Sequence, residues 1–412
     1  MNESKDFILQ QIKNKYLKSN DFNGLPAYQI GVQNKKIILE LFKENSIDVI
    51  SSKFILNPHI KLFNLNVPEE EVIEEIENNY NEIVLYPSEK VLENETVNIK
   101  KPFTEELIKG KPQLEVVYFS VEILEEYYNN PKYDITFNGY KGNINLKEQY
   151  TNEDNYEYVR DFCMAYKKNN INKRAVGIIL RDLTSLSETN QLKWYVKRIE
   201  NQEDYKAEPD YIRNLLGDWA SCYWIYDCLL EEMKLVNKMC DCMKLPHIFK
   251  KEYDIEDDEM RHYKTILLPT ENNYNKFLMI LEKLLVNNLN SNAFISKNPD
   301  FRNVENIKNE DGTQKATVKL FSEWLQLNIS GNDRVQNDII VPLKKIRKLR
   351  QKPAHDLQAD VYDETIWEKQ NNLIKEMYGT IRIIRLLFYN HPQAKLVKIP
   401  EYLYRGENIV TY

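Results

Sequence analysis

Glycine is scarce, at 11 of 412 residues. Phosphate-cradling loops of the GxxxxGK[ST] or GxGxxG type need glycines in close series. Neither pattern occurs, which argues against a P-loop ATPase or a dinucleotide-binding dehydrogenase. Long apolar runs are also missing: nothing approaches the ~18–20 residues of a membrane span. The opening Met1-Asn2-Glu3-Ser4-Lys5-Asp6 lacks the basic-then-apolar signature of a secretory leader. The reading is a cytoplasmic chain with no membrane partner. Global positive charge is absent as well. Lys and Arg number 56 against 63 Asp and Glu, a net charge of -7. A nucleic acid would therefore have to be met by a local basic patch.

Cysteines are few, and their placement argues against zinc. Four of the five, Cys222, Cys228, Cys240 and Cys242, lie within a stretch, 210–243, that reads as one long helix. Helical rise then separates Cys222 from Cys240 by about 27 Å, whereas tetrahedral zinc draws its ligands together at about 2.3 Å. No metal and no cofactor are expected, and the cysteines read as free thiols of a reducing compartment. The histidines are scattered. His59, His247 and His262 have no ligand spacing, and His391 suits a helix C-terminus. Asp182 stands at a strand end as a loop acid, and Asp338 reads as a surface acid.

What is plentiful is aromatic surface, with 27 Tyr, 15 Phe and 5 Trp. Together with 42% hydrophobic residues this supports folded domains rather than disorder. At about 100–200 residues per domain the length predicts two or three. The fold class expected is α+β. A mixed α/β region of one or two domains (1–95, then 96–270 ending in the long helix) precedes an all-α bundle with a tail (271–412).

In the first part, Ala27–Val32, Lys36–Phe42, Asp48–Ile50 and Lys61–Val67 read as strands or one helix among strands. Pro68 followed by three acids opens a helix. The middle part reads as strands at 114–119, 156–166 and 175–180 and a hairpin over 133–146. A helix over 185–199 has Ser185 and Glu188 in capping-box spacing. The bundle rests on four amphipathic segments: 275–289, 316–328, 333–350 and 364–389. In the first, Phe277, Leu278, Leu281, Leu284, Leu285 and Leu289 follow the i, i+3, i+4, i+7 rule.

One stretch reverses the sign of the chain. Six of the nine residues from Lys344 to Lys352 are basic. Leu343 and Ile346 mark the apolar stripe of this helix, and Arg350, at i+7 and i+4 from them, falls on the same side. Pro353 then stops the helix, and His355 follows at the turn. An Arg and a His meeting across a helix end suit cleavage of a phosphodiester. Imidazole can take the proton of a ribose 2′-hydroxyl or give one to the leaving oxygen. Guanidinium can fork onto the phosphate and stabilise its growing charge.

The run Arg350-Gln351-Lys352-Pro353-Ala354-His355, inside a late helical region, resembles the Rx4-6H motif of the HEPN superfamily (higher eukaryotes and prokaryotes nucleotide-binding). The resemblance covers about 120–140 residues. It implies a four- or five-helix bundle that forms a homodimer, two motifs facing one cleft. It further implies a metal-independent endoribonuclease of toxin or anti-phage defence systems, or an inactive relative that binds nucleotide or RNA as an assembly subunit. Arg350 and His355 would be catalytic. Gln351, Lys352, Lys348, Lys344 and Lys345 would hold substrate RNA. Gln351 stands where many active members carry Asn, Asp or His. Glu282 and Asn288, near the core face of the first bundle helix, are candidates to support Arg350 or His355. The N-terminal region is left to sense or position, and to meet a protein partner.

Overall fold

The computed structural model describes residues 4–18, 22–63, 65–93, 100–137, 139–151, 158–219, 222–329, 334, 336–351 and 359–411. The architecture is mixed α/β. Contacts divide the chain into two units, Met1–Thr136 with Tyr140–Ala220, and Ser221–Tyr412 with Phe137–Gly139. The main division falls between Ala220 and Ser221.

In the first unit the chain runs α1 (Lys5–Lys18), β1 (Leu25–Pro26), α2 (Lys35–Lys43), β2 (Ile47–Ser51), α3 (Glu69–Asn78), β3 (Ile83–Pro87), α4 (Glu89–Leu92) and α5 (Pro102–Ile108). Strand β3 is the middle of a three-stranded antiparallel sheet, β1-β3-β2, with Val49 opposite Leu85. Of the segments read as strands or one helix among strands, Lys36–Phe42 is the helix, α2, whose Ile38 and Leu41 are buried. α3 starts as expected behind Pro68, with Glu69, Glu70 and Glu71 in its first turn, where acids suit the positive end of the dipole.

A second sheet follows: β4 (Val116–Phe119), α6 (Glu125–Tyr128), β5 (Tyr133–Phe137), β6 (Lys141–Leu146), β7 (Asp161–Lys167), β8 (Asn170–Ile179), α7 (Leu180–Thr184), α8 (Glu188–Val196), β9 (Tyr205–Ala207) and α9 (Pro209–Leu215). Its order is β4-β8-β7-β6-β5, with β9 also on β7. Gly177 sits where β8 is squeezed between its neighbours: a Cβ there would lie 2.6 Å from Cys163 Sγ and 2.8 Å from Val116 Cγ1, so only glycine fits. Helix α8 is capped by Ser187, whose side chain accepts from the Asn190 amide, not by Ser185, which bonds the Asp182 carbonyl instead.

The long helix expected over 210–243 is broken. α9 stops before Gly217, at φ +81°. The Gly217 amide bonds the Asn214 carbonyl and the Asp218 amide that of Arg213, the paired closure of a Schellman end.

The second unit comprises β10 (Tyr223–Trp224), α10 (Ile225–Cys242), α11 (Glu271–Glu282), α12 (Asn292–Ile295), α13 (Thr317–Asn328), α14 (Val341–Gln351), α15 (Thr365–Tyr389), α16 (Glu401–Arg405) and β11 (Ile409–Val410). α11 continues into a π-helical turn, Lys283–Asn287, and another, Gln336–Ile340, leads into α14. All six residues of the 275–289 stripe are buried, none more than 2% exposed. α10, expected in a middle domain, belongs to this helical unit and packs along α15. At that contact Arg385 and Glu232, both fully buried, form a two-pronged pair: Nε to Oε2 at 2.7 Å and Nη2 to Oε1 at 3.0 Å.

Candidate functional site

The basic helix is α14. Leu343 and Ile346 are fully buried and hold it on the unit, while α11 and α15 pack beside it. Its outward face carries Lys344, Arg347, Lys348 and Gln351, all exposed. These stand at i, i+3, i+4 and i+7, so they form one stripe. Among the described residues, Lys344, Arg347 and Lys348 have no carboxylate within ion-pair distance. Lys345 differs, because its ammonium bonds Glu376 of α15 at 2.6 Å. Both side chains of that pair are partly exposed, so solvent screens it.

Arg350 lies on the expected side of the helix but at the rim, with 44% of its side chain exposed. Its Nε meets Glu282 Oε2 at 3.4 Å. Glu282 is the last residue of α11, only 7% exposed. The supporting carboxylate and the candidate arginine are thus brought together. The contact runs through Nε, so among the described residues the two terminal nitrogens have no ion-pair partner, and such a fork can engage a phosphate. Lys348 and Arg350 sit in the last turn of α14, where the helix dipole favours positive charge.

Asn288 is not part of this arrangement. Its amide accepts from the Lys251 backbone N–H at 2.9 Å and donates to the Lys251 carbonyl at 2.8 Å, so it fastens the loop after α10. A buried Asn with both ends satisfied by one backbone residue is a structural tie. Lys352 and His355 lie outside the described residues, as do Pro353 and Ala354. Asp338 is exposed, as read.

The remaining candidates separate by environment. Burial pushes the Cys228 and Cys240 thiols up to about 12, which keeps them protonated and unreactive. Among the described residues, no group of three His, Cys, Asp or Glu is placed to hold a metal ion, and no helix is long and apolar enough to cross a membrane. His247 bonds Asp241 at 2.7 Å on the surface. His262 is held down to about 4, by burial first and then by Lys276, Arg261 and Lys264. Asp182 opens α7 at the end of β8. Its carboxyl is raised to about 6, chiefly by burial and then by Asp161, against Arg181 and Lys141.

Arg347 was missed as a ligand-facing residue, though the same i+3, i+4 count that picks Lys344 and Lys348 includes it. Glu376 was missed because nothing in its local sequence marks it as the partner of a lysine 31 residues away.

No protein-family model, curated protein or solved structure matches the chain.

Proposed function

We propose that this chain is a metal-independent endoribonuclease of the HEPN type, serving in a toxin or anti-phage setting in the cytoplasm. The observation that supports this most directly is the end of α14. There an exposed basic stripe leads to Arg350, whose guanidinium is steadied through Nε by the buried Glu282. In the proposed reaction Lys344, Arg347 and Lys348 hold the RNA backbone by charge. Arg350 forks onto the scissile phosphate and stabilises its extra negative charge. His355 takes the 2′-hydroxyl proton, the 2′-oxygen attacks phosphorus, and the 5′-oxygen leaves with a proton drawn from solvent water, to which His355 afterwards returns its own. The products are a 2′,3′-cyclic phosphate and a 5′-hydroxyl. Two copies pair through the helical unit to complete one cleft, and the first unit positions the substrate or meets a protein partner.

The Arg350–Glu282 pair also favours a second reading. An arginine already held by a carboxylate can serve an inactive relative that binds nucleotide or RNA, or assembles a complex, without cutting. Purified chain incubated with transfer RNA in EDTA separates the two. Cleavage leaving a cyclic phosphate, lost in His355→Ala and Arg350→Lys, supports the nuclease. Binding without cleavage supports the second reading. A strict need for magnesium, or wild-type cleavage by both variants, would overturn the assignment of Arg350 and His355.

A further inference from the structure

The first unit contains a cavity of about 210 Å3, framed by α2, β2 and α3. Most of its wall is apolar, and three of its rings, Phe42, Phe54 and Phe63, are only half-buried. Aromatic rings that border a cavity without closing it leave apolar surface in water, at a cost that a planar occupant would remove.

The polar part of the wall is a single pair. Lys61 is 6% exposed, an unusual depth for a lysine. Its ammonium donates to Asp48 Oδ2 at 2.7 Å and to the Gly110 carbonyl at 2.9 Å. The backbone on either side is fixed too, since the Gln113 amide bonds the Lys61 carbonyl at 2.8 Å, and Asp48 sits in β2 opposite Tyr86. An ammonium has three N–H groups, and among the described residues two are used. Asp48, whose side chain is 45% exposed, carries a second carboxylate oxygen. One donor and one acceptor are therefore left over on two residues that line the cavity together with the three phenylalanines.

We infer that this cavity is a binding site for a nucleobase, taken up as a free base or nucleoside, its donor–acceptor edge on Lys61 and Asp48 and its faces on the phenylalanine rings. Size agrees with a single ring system: pockets for drug-sized ligands span about 300–1,000 Å3, and this one is smaller. Charge favours a nucleoside over a nucleotide, since Lys53, the cation over the Phe54 ring, already faces Glu75 at 3.6 Å and Glu74 at 3.9 Å. The Lys61–Asp48 pair is neutral as a unit. The chain between the lining residues Val67 and Val72 carries Glu69, Glu70 and Glu71, all exposed, which would repel a phosphate. The inference is independent of Arg350 and His355, so it stands or falls apart from the nuclease reading.

Titration calorimetry of the full chain with adenosine, guanosine, uridine and adenosine triphosphate tests it. At least one nucleoside should bind, with adenosine triphosphate weaker than adenosine. Asp48→Asn and Phe54→Ala should each weaken binding by about tenfold or more, and Lys61→Met by more still, with circular dichroism unchanged. Phe54→Ala removes only a half-buried ring, so it keeps the test decisive if Lys61→Met fails to fold. Absence of binding by every nucleoside at about 1 mM, equal binding by wild type and variants, or tighter binding of adenosine triphosphate than of adenosine would overturn the inference.

Discussion

Two arginines in the helical unit pair with glutamates, and they do so in opposite ways. Arg385 is wholly buried. It meets Glu232 with two bonds, and its Nη2 also bonds the Leu403 carbonyl at 2.9 Å. Arg350 is 44% exposed and meets Glu282 once, at 3.4 Å. In the first case both charges have left water, so each depends on the other and neither is free for a ligand. In the second, solvent screens the pair, its worth to the fold is small, and a phosphate can compete for the guanidinium. The same two side-chain types give a clamp at one place and a handle at the other. Burial makes the difference.

The comparison breaks most visibly at the clamp. Arg385→Ala should destabilise the helical unit by about 3–5 kcal/mol, because it strands Glu232, and should lower the melting temperature by on the order of 10 °C. Replacing Arg385 and Glu232 together by Met should recover most of that loss. If the double variant melts no higher than Arg385→Ala, the pair is more than a mutual dependence.

A half-buried carboxylate without such a clamp shows the other side. Asp182, in the first unit, is raised to about 6 by burial and by Asp161. Its folded value lies above the unfolded one, near 3.9, so folding prefers the neutral form. The penalty is fully present above pH 6 and lifts as pH falls toward 4. Asp182→Asn should therefore stabilise the first unit by about 1–2 kcal/mol at pH 7.5, two pH units halved for partial solvent exposure. At pH 4 it should do nothing. His262, held down to about 4, works in the reverse sense. Its unfolded form binds a proton near 6.5, so stability of the helical unit is lost as pH falls from about 6.5 to 4. Melting curves of Asp182→Asn and His262→Gln against pH check both signs.

A third guanidinium lies between the extremes. Arg382 bonds the Tyr404 carbonyl at 3.4 Å and rests on Gly406, where a Cβ would lie 2.5 Å from its Nη1. Gly406 also has φ +72° and ends α16. Gly406→Ala should cost about 1 kcal/mol from backbone strain, with the arginine end shifting to make room. The smallest effect on stability belongs to the handle: Arg350→Ala should change folding by less than about 1 kcal/mol. Its cleavage of RNA should fall about a hundredfold or more under the proposed mechanism. A large melting shift in Arg350→Ala with cleavage untouched would make it a second clamp.

Much of this architecture is legible in one sequence. The stripe from Phe277 to Leu289, the helix over 365–389, the hairpin around Gly139 and the acids behind Pro68 announce themselves through local spacing. Arg350 beside Glu282 was reachable the same way, by counting turns on each helix. What escaped depends on distance along the chain. Nothing near Glu232 marks it as the partner of a residue 153 positions away, and without that link α10 looked like the end of a middle domain. The break after Leu215 was a different failure. Gly217 signals a helix end, but the apolar run on both sides outweighed it. Asn288 was misplaced because helical phase shows which face a residue occupies, not that a neighbouring loop will consume its amide. Lys61 and Asp48 lie 13 residues apart, and they meet because the chain after β2 folds back on that strand.

The short parallel pairing of β10 with β11, Tyr223 opposite Ile409 and Trp224 opposite Val410, has a consequence for how the molecule is made. β10 leads directly into α10, and the residues that close it come some 185 positions later. Synthesis runs from the N-terminus, and contacts distant in sequence form late. The first unit has all its strands available once residue 220 has left the ribosome. The helical unit cannot bury Arg385 under Leu403, or pair β10, until residues 401–410 emerge. Until α15 emerges, α10 waits without the helix it packs along, the period in which a nascent chain most needs a chaperone. A ribosome stalled at residue 395 should therefore display a protease-resistant first unit followed by a sensitive second one.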